Sequence, residues 1–274
     1  MTNNAIDSRE ASTKAVVDRG TKLDAAGLAR RVAALESNNA ELLRSNADLV
    51  EFASVAAHEL RSPLQTIMGF AELLTDEAPD ALSDNGRQYL DGMRRSAARL
   101  ENLVEALLVY ARVGASVRSR EDVDCEQLAA ETCESLAASI SAAGASVEWG
   151  SLPTVIGDPA ELALVFHNLV SNAVKYRRPD VSARVHLSAI EVVGKWRFQV
   201  DDNGVGIDVR HRDRVFSVFQ RLPGQSPAGG TGVGLAVCRR IVEGHGGRIW
   251  VEGSPQGGTR VCFTVPIPVC WSPF

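Results

Sequence analysis

No apolar run in the chain approaches the roughly 18 residues that a bilayer-crossing helix needs, so a membrane span is not expected. The opening "MTNNAIDSRE" lacks the apolar core of a secretory signal. An excess of positive charge is also missing. The 29 Lys and Arg residues against 34 Asp and Glu leave a net charge of -5, whereas a nucleic-acid binder is normally basic. Paired cysteines are absent. Cys125, Cys133, Cys238, Cys262 and Cys270 are scattered with no CxxC spacing, which excludes an evident zinc site or disulfide framework and predicts reduced thiols in a cytoplasmic protein. There is no internal repeat and no low-complexity tract. What remains is ordinary globular material, 45% hydrophobic and 23% charged, and 274 residues suffice for two modest domains or one large one.

Residues 1–25 are polar and aperiodic and are expected to be disordered or flexible, at most loosely helical. The run "LARRVAALESNNAELLRSNADLVEFASVAAHEL" contains no proline or glycine. Within residues 26–53, Leu28, Val32, Leu35, Asn39, Leu42, Asn46 and Leu49 alternate steps of four and three, which is a heptad seam. Buried asparagines in such a seam cost stability but fix register, so a parallel dimeric coiled coil is predicted. The strict heptad stops fitting at Phe52. Residues 54–112 read as two long antiparallel helices separated by the breaker "DEAPDALSDNG". Leu90, Met93, Ala97, Leu100, Val104, Leu107 and Leu108 recur near a 3.6 period on the second of them. Two helices alone cannot bury both stripes, and dimerisation into a four-helix bundle would. Residues 113–121 read as a linker.

Over 122–270 the texture becomes mixed α and β. "CEQLAAETCESLAASISAAG" predicts a helix, "SVEWG" and "PTVIG" predict short strands, and Asp158 with Pro159 opens the helix "PAELALVFHNLVSNAVKY". "ARVHLSAIEVVGKWRFQVDDNG" alternates as a hairpin, "GLAVCRRIVEGHGG" is helical, and "RIWVEG" with "GTRVCFTVPIP" completes a sheet. The expected fold class is therefore multidomain α and α/β: a coiled coil, a helical hairpin and an α/β sandwich.

Three glycine-rich stretches lie between these elements: "DDNGVGID", "GGTGVGLA" and the "GGT" ending at Thr259. Glycines let a backbone approach phosphates and base edges closely. None of the three is a dinucleotide fingerprint, and the second lacks the lysine of a P-loop. Asn168 and Asn172 are four apart and share one helix face, with Leu164 one turn earlier and Lys175 and Tyr176 one turn later. Amide oxygens suit a hard magnesium ion that keeps its waters and bridges to phosphates. A lysine neutralises phosphate charge, and an aromatic ring can stack on a base.

Taken together these stretches resemble the sensor histidine kinases of two-component systems over roughly residues 48–268. "HELRSP" resembles the phosphoacceptor box, "NLVSNAVKY" the asparagine box and "DDNGVGID" the first glycine box. "VFSVFQRL" resembles the phenylalanine box, and "GGTGVGLAVCRRIVEGHGG" the second glycine box. The resemblance implies a dimerisation and histidine-phosphotransfer bundle joined to an ATP-binding sandwich of the gyrase and chaperone ATPase superfamily. It implies His58 as the phosphorylated histidine, Glu59 as the assisting acid and Asn172 as the magnesium ligand with Asn168 beside it. It further implies Lys175 and Tyr176 at the phosphates and base, and Asp202 on the adenine amino group. Gly204, Gly206, Gly230, Gly232, Gly234 and Thr259 would shape the pocket and its lid. Phe216, Phe219 and Arg221 would lie in the lid region, the arginine near the terminal phosphate. ATP and magnesium are the implied cofactors. A homodimer and the receiver domain of a response regulator are the implied partners, with input from a partner protein or an upstream sensor domain.

The chemistry is independently reasonable. A neutral imidazole is a competent nucleophile near pH 7, and phosphoryl transfer needs positioning and charge neutralisation more than covalent help. Adjacent helix residues do not face each other, so spacing alone does not bring Glu59 onto His58. Pro63, just beyond, removes a backbone hydrogen bond and is expected to hinge the helix. Where the family often has threonine or asparagine four residues after the histidine, this chain has Ser62, which leaves phosphatase activity in doubt. The alternatives are a non-kinase ATPase of the same superfamily or a nucleotide-binding scaffold, neither of which has a use for "HELRSP" on a dimer helix.

Overall fold

The computed structural model describes residues 4–77, 82–113, 120–220 and 231–267, with side chains described from residue 27 onward except at 39, 42, 43, 46, 49, 52, 76 and 77. It divides into two compact units, Met1–Glu51 and Phe52–Phe274. The first consists of the beginning of helix α1 (Asn4–Glu77). Residues 1–25 were expected to be disordered or flexible, yet α1 already starts at Asn4. The physical reason is in the composition: the first proline is Pro63, and only Gly20 and Gly27 weaken the helix before it. Leu28, Val32 and Leu35, the described side chains of the expected seam, are exposed. The side chains of Asn39, Leu42, Asn46 and Leu49 lie outside the described residues.

In the second unit α1 remains helical through Pro63, which leaves the Glu59 carbonyl without its usual donor. Helix α2 (Asp84–Arg112) opens on Ser83, whose hydroxyl accepts the Gly86 N–H at 3.2 Å. Two ion pairs fix it antiparallel to α1: Arg61–Glu105 at 2.6 Å and Arg94–Glu72 at 3.6 Å. The α2 stripe divides in two. Leu90, Ala97, Val104, Leu108 and Ala111 are buried, while Met93, Leu100 and Leu107 stay exposed.

The α/β domain begins with β1 (Glu121–Asp124), which pairs antiparallel with β3 (Thr154–Gly157). The expected linker therefore gives way to a strand at its last residue, because Val123 is drawn into the core. The helix expected over "CEQLAAETCESLAASISAAG" is two: α3 (Cys125–Ser135) and α4 (Ala137–Ala143). The chain breaks at Leu136, which is buried, whereas α4 buries nothing. The main sheet has the order β2-β4-β5-β7-β6, formed by β2 (Ser146–Trp149), β4 (Arg184–Val192), β5 (Lys195–Asp202), β7 (Thr259–Pro266) and β6 (Ile249–Gly253). Only the β2–β4 pairing is parallel. Helices α5 (Pro159–Lys175) and α6 (Gly234–Gly244) cover it. Phe166 of α5 meets Phe198 and Phe263 of the sheet edge-on, at centroid distances of 6.0 and 6.1 Å, and the two sheet rings stack at 4.8 Å. Cys125, Cys238 and Cys262 are buried and free, and burial pushes their thiols up to about 12. They pack as small hydrophobes.

Candidate functional site

Strand alternation sets the site's orientation. Asp202, the last residue of β5, shares its face with Phe198 and Val200, and Asp201 faces the other way. Asp201 is buried and held by a two-pronged contact from Arg260: Nε to Oδ1 at 2.9 Å and Nη2 to Oδ2 at 2.9 Å. That pair locks the β5–β7 register next to Asp202. The Oδ1 of Asp202 accepts the Gly204 N–H at 2.8 Å and the Thr259 N–H at 2.9 Å. Burial pushes this carboxyl above the ordinary aspartate range, against the lowering by the same two N–H groups and the Thr259 hydroxyl.

The turns around this node leave no room for side chains. A Cβ at Gly204 would run into the Tyr176 carbonyl, and one at Gly258 would strike the carboxylate and carbonyl of Asp202. The Val205 N–H binds the Tyr176 carbonyl at 3.1 Å, tying the first glycine turn to the end of α5. Arg178 then joins the turns, donating from Nε to the Gly204 carbonyl at 3.0 Å and from Nη2 to the Gly257 carbonyl at 2.6 Å. Sequence reasoning missed Arg178. Its only signal was a second basic residue just past the asparagine-bearing helix.

Helix α5 starts at the Asp158 cap, whose carboxylate accepts the Glu161 N–H at 3.1 Å, with Pro159 in the first turn. It presents Asn168, Asn172, Lys175 and Tyr176 to one cavity of about 1130 Å³, which Asp202, Gly206, Gly232, Gly234 and Thr259 also line. Asn168 donates its amide back to the Leu164 carbonyl at 2.8 Å, so its oxygen is the end left to face Gly234. Asn172 is half-buried. The Lys175 ammonium lies 5.4 Å from the Tyr176 ring centroid. Gly206 and Gly232 adopt positive φ, 76° and 71°. Val200, Ile207, Val215, Leu169 and Val261 give the cavity an apolar floor. A floor of this kind with one carboxylate acceptor fits a planar base bearing an amino group, and the asparagines and lysine fit phosphates with a magnesium ion. Among the described residues no three His, Cys, Asp or Glu side chains group to hold a metal, so such an ion would take most of its ligands from water and phosphate.

In the lid region Phe216 is buried, and Phe219 is exposed with φ 63°, an uncommon conformation for a non-glycine residue. Arg221 and Gly230 lie outside the described residues. His58, Glu59 and Ser62 are exposed on α1, none of them lines the cavity, and His58 and Glu59 make no hydrogen bond or ion pair among the described residues. The structure therefore brings together in one cavity the described residues of α5, β5, β7 and α6 that were expected to bind nucleotide, Gly204 lying in the turn beside them. The α1 set is held separately on the helical hairpin.

Residues 157–269 match the family described as histidine kinase-, DNA gyrase B-, and HSP90-like ATPase, and residues 48–116 match the His Kinase A (phospho-acceptor) domain. The chain is 35% identical over 226 residues to phytochrome-like protein Cph1 of Synechocystis sp., covering 82% of this chain and 30% of that protein. It is 31% identical over 248 residues to the methanogenesis regulatory histidine kinase FilI of Methanothrix harundinacea, covering 89% and 27%. The chain thus spans about a third or less of the length of these curated relatives. Among solved structures, full-length ShkA in complex with AMPPNP superposes with a TM-score of 0.58 at 31% identity, covering 79% of this chain and 45% of ShkA. Histidine kinase ThkA, solved with the response regulator protein TrrA, shares the fold at a TM-score of 0.56 and 23% identity, covering 80% and 61%. No helix of the described residues is long and apolar enough to cross a membrane.

Proposed function

The chain belongs to the sensor histidine kinases, and from that premise we propose that it is an ATP-dependent autokinase: it moves the terminal phosphoryl group of ATP to His58 and passes it to an aspartate in the receiver domain of a response regulator. The observation that carries this reading is the pairing, in one chain, of an exposed histidine followed by an acid on a helical hairpin with a carboxylate-centred cavity in the α/β domain. Asp202 would accept the amino group of adenine through the carboxylate oxygen that the backbone does not occupy. Asn172 would hold magnesium through its amide oxygen, with Asn168 beside it. When bound, that ion neutralises phosphate charge. Lys175 adds a second positive charge, and Tyr176 closes the base end.

His58 attacks with a neutral ring nitrogen, forming the N–P bond while the bond from the terminal phosphorus to the bridging oxygen breaks. The proton on its other nitrogen then needs an acceptor, the role proposed for Glu59. Exposure suits His58, because two different domains must reach it in turn. Exposure of Met93, Leu100 and Leu107 on α2 and of Ile67, Phe70 and Leu74 on α1 supports a homodimer whose second copy covers them. Work in the cytoplasm accords with the reduced cysteines. Ser62 makes phosphatase activity a minor expectation.

The test uses ATP labelled on its terminal phosphate. Wild type should acquire label that is acid-labile and base-stable, as phosphohistidine is. His58→Gln should acquire none while its ATP affinity is unchanged, since the two sets of residues sit on different elements. Label that survives acid, or persists in His58→Gln, would mean another acceptor.

A further inference from the structure

The cavity has a wall that none of the nucleotide-binding motifs supplies. Gly92, Arg95, Ser96, Arg99 and Asn102 of α2 close one side of it. Steps of three and four place them on one face of that helix. This face is distinct from the buried stripe through Leu90, Ala97 and Val104, and from the exposed apolar row of Met93, Leu100 and Leu107.

Neighbouring arginines of the hairpin have acidic partners, Arg94 with Glu72 and Arg61 with Glu105. Arg95 and Arg99 are exposed and have no hydrogen bond or ion pair among the described residues. Like charges one helical turn apart repel each other, so this face gains when an anion lies against it. Among the described residues the only acid lining the cavity is Asp202, and its Oδ1 is occupied by two backbone N–H groups. The cavity thus has an acceptor for a base at one node and guanidinium groups, well shaped for phosphate oxygens, on the helical wall.

We propose that Arg95 and Arg99 form a polyphosphate clamp, so that a nucleoside triphosphate is bound between α2 and the α/β domain. The inference rests on the adenine-nucleotide reading of the cavity. It adds that the hairpin is itself part of the binding site. His58 does not line this cavity. With its phosphates on α2, the nucleotide is held away from the acceptor, and the clamp is a resting posture that must open before transfer.

The experiment compares adenosine, ADP and ATP binding to the full chain by calorimetry, for wild type and for the double variant Arg95→Gln with Arg99→Gln. ATP affinity should fall on the order of tenfold, ADP affinity less, and adenosine affinity not at all. Arg95→Lys with Arg99→Lys should retain most of the ATP affinity, because the charge remains. At saturating ATP the glutamine variant should phosphorylate His58 faster than wild type, because no clamp has to open before transfer. Unchanged ATP affinity overturns the clamp, and so does an equal loss for all three ligands, which would indicate structural damage. Equal or slower phosphorylation at saturating ATP overturns the resting role. If wild type binds none of the three, the nucleotide reading fails and takes the clamp with it.

Discussion

Asp202 is costly to bury as an anion, and its value to the site depends on that cost. Burial raises its carboxyl above the ordinary range, so the folded state favours the proton more than the unfolded state does. The sign follows directly: its contribution to stability is most favourable below the unfolded value of about 3.9 and is lost as pH rises through the raised folded value. At pH 7 the charged group is a net liability to folding. Asp202→Asn keeps an oxygen for the Gly204 and Thr259 N–H groups but puts an amide NH₂ where the second carboxylate oxygen was. Donor would then face the donor of adenine. ATP affinity should drop tenfold or more, on the order of 1.5 kcal/mol, as a mismatched buried polar pair costs. The melting temperature at pH 7 should hold or rise, and that gain should shrink toward pH 4. Lower stability together with unchanged affinity would remove Asp202 from base recognition.

The elements that hold this residue are pinned by a histidine inside the second glycine box, in a role that the box itself does not reveal. His245, at the end of α6, is almost wholly buried. Its Nε2 accepts the Asp158 N–H at 3.0 Å, so that nitrogen carries no proton, and Nδ1–H donates to the Ile241 carbonyl at 2.9 Å. The ring thereby ties α6 to the cap of α5, the helix that carries Asn168 and Asn172. His245→Ala would strand the Asp158 N–H and open a void, costing about 2–4 kcal/mol. The denaturation midpoint in urea should fall at unchanged slope. His245→Gln, which can offer an oxygen to the same N–H, should recover part of the loss. This contact shows where sequence reading reaches its limit. Helix α5, the β4–β5 hairpin and the glycine turns were legible because each is set locally, by a cap, an alternation or a close backbone approach. The break at Leu136 was not, since the helical periodicity runs on and only the core beneath decides which residue turns inward. Arg178 and His245 were equally hidden. Their partners lie 26 and 87 positions away, and nothing local distinguishes them from a surface arginine and a turn histidine.

At the scale of the molecule, α2 has to serve three neighbours at once. Ion pairs tie it to α1, and its C-terminal end packs Ala106, Val109 and Tyr110 on the α/β core, where Arg240 of α6 lies 4.8 Å from the Tyr110 ring centroid. Its arginine face lines the cavity. Its third face, Met93, Leu100 and Leu107 at seven-residue spacing, is left 50%, 49% and 39% exposed among the described residues. A second copy packing its own hairpin against that row would complete a four-helix bundle and dry the apolar side chains of both. Burying a side chain of this size contributes about 1.5–3 kcal/mol. Met93→Glu with Leu100→Glu should therefore weaken self-association by a hundredfold or more, since each 1.4 kcal/mol is about tenfold. Sedimentation velocity should show a dimer for wild type and a monomer for the variant at the same micromolar concentration. ATP affinity should be equal in both, because this row faces away from Arg95, Arg99 and the cavity. A variant that stays dimeric would place the contact elsewhere, with the heptad seam of residues 26–53 as the remaining surface. A monomeric wild type would leave that seam and this row both without a partner, and the bundle would have to be abandoned.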